Sequence, residues 1–257
     1  MLILLVNLER APERLLEMRE EYARAELDFE RLDAVDAKKF KSEVIQKQRQ
    51  PVSDRQYWLM DMSDGEIACY LSHKKAWEQL LESDEEWAYV AEDDARFIHD
   101  AKRLFADLSW IPEGTGIVQM SAYFENRPIK YQGTPVQIDS TFKLVKAMEY
   151  RLSGGGTQGY LINREMATRL LEEFPFINAP IDDMLFYHAS PVREMTNVLF
   201  LCPPISITVD ENESFLQADK AKMKSRFREY PLRYIKRKLI KWKHAFKCKF
   251  VYKDMIR

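Results

Sequence analysis

Trp87-Ala88-Tyr89-Val90-Ala91-Glu92-Asp93-Asp94 is the stretch that decides the fold: five uncharged residues run straight into three carboxylates. An apolar run without alternation reads as a strand buried on both faces, the kind found inside α/β sheets. Such sheets bind ligands beyond the carboxyl ends of their strands, where this strand delivers its acids. Three adjacent negative charges repel, and a cation offsets that repulsion. Glu92 and Asp94 are two apart and share a side in extended chain, so one can hold a hard divalent cation while the other orients it or meets a sugar hydroxyl. A solvated acidic turn is the plainer reading of the triplet alone.

Working outward, Gly65–Leu81 reads as a helix with Cys69, His73, Trp77 and Leu81 recurring every fourth residue, which puts His73 on an apolar face. A buried histidine held by a hydrogen bond is favoured there over a metal ligand. Met1–Val6 reads as a first core strand ending at Asn7. Pro12 opens a helix running to about Ala25, and Phe29–Val35 forms a second strand. This β-α-β start predicts a parallel sheet with a right-handed crossover. Residues 37–62 read as a long loop with a short helix. Downstream, helix is expected over Ala101–Leu108 and Arg164–Phe174, strand over Gly116–Met120 and Tyr160–Ile162, and short strands within Tyr131–Tyr150. Four of the eight glycines fall in Ser153-Gly154-Gly155-Gly156-Thr157-Gln158-Gly159. That density asks for positive φ or for close approach to something, with a tight structural turn as the plainer reading. It lacks the pattern of a P-loop. Asn178–Asp183 reads as a helix start with Asp182 and Asp183 in its first turn, where the helix dipole favours carboxylates.

The 257 residues are 46% apolar and 31% charged, with a net charge of −2, enough for one large domain or a domain plus an appendage. No apolar run approaches the ~18 residues of a membrane span, and Met1–Val6 is too short, without a basic start, for a signal peptide. Cys69, Cys202 and Cys248 have no CxxC spacing, which suggests neither a zinc site nor a disulfide framework and fits a reducing cytoplasm. The small net charge hides a division. Residues 220–257 carry fifteen Lys/Arg against Glu229 and Asp254, net +13, and the other 24 Lys/Arg and 39 Asp/Glu leave 1–219 at −15. In the basic part Ile235, Leu239, Trp242 and Phe246 fall at helical spacing among Lys236, Arg237, Lys241 and Lys243, as in an amphipathic helix for an anionic membrane surface. A helix folded back on the acidic domain is the alternative. No nucleic-acid recognition motif accompanies the charge.

Several segments, in order, resemble glycosyltransferase family 25, the lipooligosaccharide galactosyltransferases that also include the collagen galactosyltransferases. They are Val6-Asn7-Leu8-Glu9-Arg10 with Arg14, Ala34-Val35-Asp36, Gly65 to His73 with Trp77, Glu92-Asp93-Asp94, Gly156 to Ile162, and Pro180-Ile181-Asp182. The resemblance covers most of residues 1–185. It implies a GT-A-type, Rossmann-like nucleotide-binding fold with a mostly parallel central sheet, expected over 1–219 and followed by the basic, largely helical extension over 220–257 that the charge division marks. It implies an inverting, metal-dependent transferase, with Mn²⁺ ahead of Mg²⁺, that moves galactose from UDP-galactose to a bacterial lipooligosaccharide at the cytoplasmic face of the inner membrane. UDP-glucose or UDP-N-acetylgalactosamine as donor, or an inactive glycan-binding protein of the same fold, are the alternatives.

By the same resemblance Glu92-Asp93-Asp94 stands in for a DxD signature, with Asp94 as principal metal ligand and Glu92 toward ribose or a metal-bound water. Asn7, Leu8, Arg10 and Asp36 fall where base and ribose would lie. Arg10 and Arg14 are otherwise plain helix-surface charges. Ser72 and His73 support the site, Gly155, Gly156 and Thr157 line the sugar side, and Asp182, then Asp183, is the base for the acceptor hydroxyl.

Overall fold

The computed structural model describes residues 1–49, 62–122, 131–147, 156–187 and 190–208. The basic segment 220–257 lies outside them, as do Gly154, Gly155 and His188. An eight-stranded sheet runs through the described residues. Its strands are β1 (Leu2–Asn7), β2 (Glu30–Asp33), β3 (Trp87–Glu92), β5 (Thr115–Gln119), β7 (Tyr131–Gln137), β8 (Lys143–Ala147), β9 (Gly159–Asn163) and β10 (Asn197–Cys202), in the order β2-β1-β3-β9-β5-β10-β8-β7. A small second sheet joins β4 (Ala95–Phe97), β11 (Ser206–Thr208) and β6 (Ser121–Ala122).

The sheet is mixed, not mostly parallel. β1 is parallel to β2 and β3, and β5 to β10, but β9 runs antiparallel between β3 and β5, and β8 and β7 are antiparallel at the far edge. The parallel half is the half that the β-α-β reading reached, with α1 (Pro12–Arg24) connecting β1 to β2. Strand side chains divide by parity. Leu4, Val6, Ala88 and Val90 pack on one face with α3 (Asp64–Glu82) and α5 (Arg164–Glu173), while Leu5, Tyr89 and Ala91 pack on the other with Met18 and Tyr22 of α1 and Leu104 and Phe105 of α4 (Ala101–Ala106). Burial on both faces is why β1 and β3 read as unbroken apolar runs.

The described part of the expected loop after β2 contains a 3-10 turn (Ala37–Lys39) and α2 (Ser42–Gln46). α3 begins with a capping box: Ser63 Oγ accepts from Glu66 N at 3.1 Å and the Glu66 carboxylate accepts from Ser63 N at 2.8 Å. Its buried face carries Ile67, Tyr70, His73, Trp77 and Leu80, so Cys69 and Leu81 sit at the edge of the stripe and not at its centre. Two short helices, α6 (Ile181–Phe186) and α7 (Val192–Met195), follow α5, and α6 packs on α3. Among the described residues no helix is long and apolar enough to cross a membrane.

Candidate active site

Because β1, β2 and β3 are parallel, their carboxyl ends open on one edge of the sheet, and the register sets them level: Asn7 pairs Asp33, and Val6 pairs Glu92. A cleft of about 190 Å³ lies there. Its walls come from the end of β1 (Val6, Leu8), the start of α1 (Arg10, Arg14), the exit of β2 (Ala34 to Lys38), the first turns of α3 (Gly65, Ala68, Cys69, Ser72) and the acid triplet. Antiparallel β9 starts at this same edge, which brings Gly156 to Gln158 beside Glu92; Glu92 N donates to Gln158 O at 3.2 Å. The first four motif segments and the glycine segment thus meet at one place.

The chain turns after Glu92, so the shared side expected of Glu92 and Asp94 in an extended strand does not govern them; the three carboxylates diverge. Glu92 accepts from Thr157 Oγ1 and its Oε1 lies 3.4 Å from His73 Nε2. Asp93 is a strut. Its Oδ2 accepts from Asn7 Nδ2 at 2.7 Å and its Oδ1 from Arg14 at 3.1 Å, so Arg14 is a bound cleft residue and not a plain surface charge. Burial raises the Asp93 pKa, with Asn7 and Arg14 pulling it back. Asp94 differs from both, since its Oδ1 is buried without a hydrogen-bond partner among the described residues. Burial first, then the Glu92 and Asp93 charges, push its carboxyl up to about 7, against the pull of Arg14.

That orphaned oxygen is the test of whether a cation fits. A buried carboxylate oxygen with no donor among the described residues, on a residue that lines the cleft, is a hard-oxygen donor suited to Mg²⁺ or Mn²⁺, which leaves most of its positions to a diphosphate and water. The residues fit, with Asp94 as the ligand and Glu92 on the same cleft wall.

On the other wall Asp36 caps the 3-10 turn, accepting from Lys38 N at 3.0 Å, and takes Arg10 Nε at 2.8 Å on its second oxygen. Burial alone would raise its pKa, but the Lys38 N–H and the Arg10 guanidinium outweigh it and hold the carboxyl low. Arg10 is therefore also partnered. Ser72 accepts from Val35 N and donates to Ala68 O, both at 2.8 Å, tying the β2 exit to α3. His73 is fully buried, with Nδ1 3.0 Å from Tyr160 Oη, which also accepts from Trp77 Nε1 at 2.9 Å. This Tyr160-Trp77 support was missed in the sequence, although Trp77 stands one turn beyond His73 and Tyr160 directly follows the glycine segment.

Neither Gly156 nor Gly159 has a positive φ; both answer to close approach. A Cβ on Gly159 would stand 2.2 Å from Tyr89 Oη, and one on Gly156 would meet the Gln158 amide at 2.4 Å. Gly156 is held as a structural turn, its N–H donating to Gln158 Oε1 at 3.0 Å and its carbonyl accepting from Gln119 at 2.9 Å. The cleft wall does not include Asp182 or Asp183. Both open α6; Asp182 accepts the Asp183 N–H at 2.8 Å, and Asp183 is buried. The Asp182 charge still reaches the cleft: after burial and Glu92, it is among the causes that raise the Cys69 thiol pKa.

The family model described as glycosyltransferase family 25 (LPS biosynthesis protein) matches residues 1–185. A glycosyltransferase 25 family member of Aedes aegypti is 30% identical over 71% of this chain and 30% of its own length. Procollagen galactosyltransferase 2 of Mus musculus is 28% identical over 75% of this chain and 31% of its own. The lacto-N-neotetraose biosynthesis glycosyltransferase LgtE of Neisseria meningitidis is 28% identical over 49% of this chain and 46% of its own. The chain thus spans about a third of the length of the first two relatives and about half of the third. With five of the six segments gathered on one sheet edge and the family's model matching over most of the sequence, the chain belongs to glycosyltransferase family 25.

Proposed function

We propose that the chain transfers galactose from UDP-galactose, with inversion, to the oligosaccharide of a lipooligosaccharide, in a GT-A-type fold acting at the cytoplasmic face of a bacterial inner membrane. The observation that carries this reading is the unpartnered Asp94 oxygen in a cleft at the carboxyl edge of three parallel strands. Galactosyl transfer and a lipooligosaccharide-type glycan are suggested by the names of the procollagen and lacto-N-neotetraose relatives. Asp94, with Glu92 on the same cleft wall, would hold a divalent cation, Mn²⁺ before Mg²⁺, which when bound supplies charge neutralisation to the departing UDP.

The chain's own residues do the rest. Asp93, fixed by Asn7 and Arg14, holds the turn that aims Asp94. Thr157 aims Glu92. Leu8, Arg10 and Asp36 form the wall for base and ribose, and the Gly156-Thr157 turn, outside that wall but bonded to Glu92 through Thr157, is assigned to the sugar side. Asp182 takes the proton of the attacking acceptor hydroxyl, with Asp183 as the buried neighbour behind it.

The test is UDP release from UDP-galactose, UDP-glucose and UDP-N-acetylgalactosamine on truncated lipooligosaccharide, with Mn²⁺ and with EDTA. Metal-dependent release from UDP-galactose supports the reading, and release from another donor corrects the sugar. No release from any donor by folded protein moves the weight to a glycan-binding role. Asp182→Asn tests the base: unchanged transfer by a folded, UDP-binding variant removes that assignment.

A further inference from the structure

A second set of metal-type donors lies on the wall of the cleft, apart from Asp94. Cys69 and His73 stand one turn apart on α3, and Glu92 faces them from the end of β3; one ligand atom from each lies within 4.8 Å of the others. His73 is fully buried, and its Nε2 has no hydrogen-bond partner among the described residues. That nitrogen faces Glu92 Oε1 at 3.4 Å. The separation is long for a hydrogen bond, but it suits two ligands of one ion. Nitrogen and oxygen donors each ~2.05 Å from tetrahedral zinc stand ~3.3 Å apart, and a sulfur at ~2.3 Å stands ~3.5 Å from the nitrogen.

The surroundings orient the imidazole for this. Tyr160 Oη lies 3.0 Å from Nδ1 and can accept an N–H from His73 as it does from Trp77, which leaves the lone pair on Nε2, as second-shell partners of ligating histidines do. Cys69 is a free thiol, and it and Glu92 both line the cleft, so a fourth ligand position opens to solvent.

We propose that Cys69, His73 and Glu92 form a zinc-class cation site, separate from the all-oxygen position at Asp94. A thiolate and an imidazole favour Zn²⁺ over Mg²⁺ or Mn²⁺. The thiol proton leaves to solvent as the ion binds. Occupancy holds the Glu92 carboxylate against α3, away from the diphosphate side, so zinc inhibits transfer; this consequence alone rests on the UDP-sugar reading.

The test uses the full chain and readouts independent of transfer. Co²⁺ titration of the wild type is expected to give a thiolate-to-metal charge-transfer band saturating at one equivalent and displaced by Zn²⁺. Cys69→Ser loses the band and Cys248→Ser retains it, while Tyr160→Phe weakens Zn²⁺ by about 10–100-fold. In the unaltered protein, Zn²⁺ but not Mg²⁺ shields Cys69 from iodoacetamide, read by peptide mass mapping. A band unchanged by Cys69→Ser, or equal alkylation of Cys69 with and without Zn²⁺, overturns the site. Either result leaves the donor assignment standing, and failure of UDP-galactose turnover leaves the zinc site standing.

Discussion

Three adjacent carboxylates have three different environments, each set by a residue far away in the chain. Asn7 and Arg14 claim Asp93, Thr157 claims Glu92, and Asp94 keeps an oxygen with no partner among the described residues. The crowding of like charges at a strand end was legible in the sequence. Spacing could not separate the roles, since the chain turns after Glu92 and the two-residue periodicity stops there. Asp36 shows the same limit: it was legible as a candidate contact, while its pairing with Arg10 and its capping of the 3-10 turn required the fold. This pairing makes a pH prediction. A carboxyl held below its unfolded value binds fewer protons in the folded state, so its stabilisation is present above the unfolded pKa and is lost as pH falls through the folded one. Asp36→Asn should therefore lower stability by about 1–2 kcal/mol at pH 7, with the difference closing below roughly pH 4. Urea unfolding at both pH values measures it, and an equal deficit at low pH would contradict the ion pair as the cause.

At the scale of elements, β1, α1, β2, α3 and β3 were readable because apolar runs and caps mark them locally. The antiparallel insertion of β9 between β3 and β5 was not, since strand order is a long-range choice that no local pattern records, and β4, β6, β10 and β11 fell outside the reading. Yet β9 is what brings Thr157 to Glu92, through a glycine that lets Tyr89 lie across it. Gly159→Ala should cost about 1–3 kcal/mol through overpacking, and Tyr89→Phe, by removing the hydroxyl that the new methyl meets, should recover part of the loss. Thermal melts of the two single variants and the double variant measure this, with additive losses as the contrary result. Ser72→Ala strips the Val35 N–H of its acceptor at about 1–3 kcal/mol. It should raise the KM for the UDP-sugar more than it lowers kcat, because the loosened Ala34–Asp36 segment walls the cleft without touching the reacting centre.

Across the whole molecule, the acidic 1–219 and the basic 220–257 have opposite partners in prospect, a division fully legible from charge alone. Attraction of an anionic surface is about 1 kcal/mol per Lys or Arg. Reversing Lys236, Arg237, Lys241 and Lys243 to Glu in the full chain should therefore lower partitioning onto anionic vesicles by at least ~100-fold. Sedimentation with the vesicles measures it; unchanged partitioning would place the basic segment elsewhere. The proposed cation site lies at the opposite end of the charge division, in the cleft at the carboxyl edge of β1, β2 and β3. Equilibrium dialysis of UDP-galactose against the wild type and Asp94→Asn, with Mn²⁺ and with EDTA, tests it most directly. The wild type is expected to bind only with Mn²⁺, and the variant, unfolding as cooperatively as the wild type, to bind no better than the EDTA control. Equal Mn²⁺-dependent binding by the two proteins would show that Asp94 does not hold the cation and that the donor site lies elsewhere.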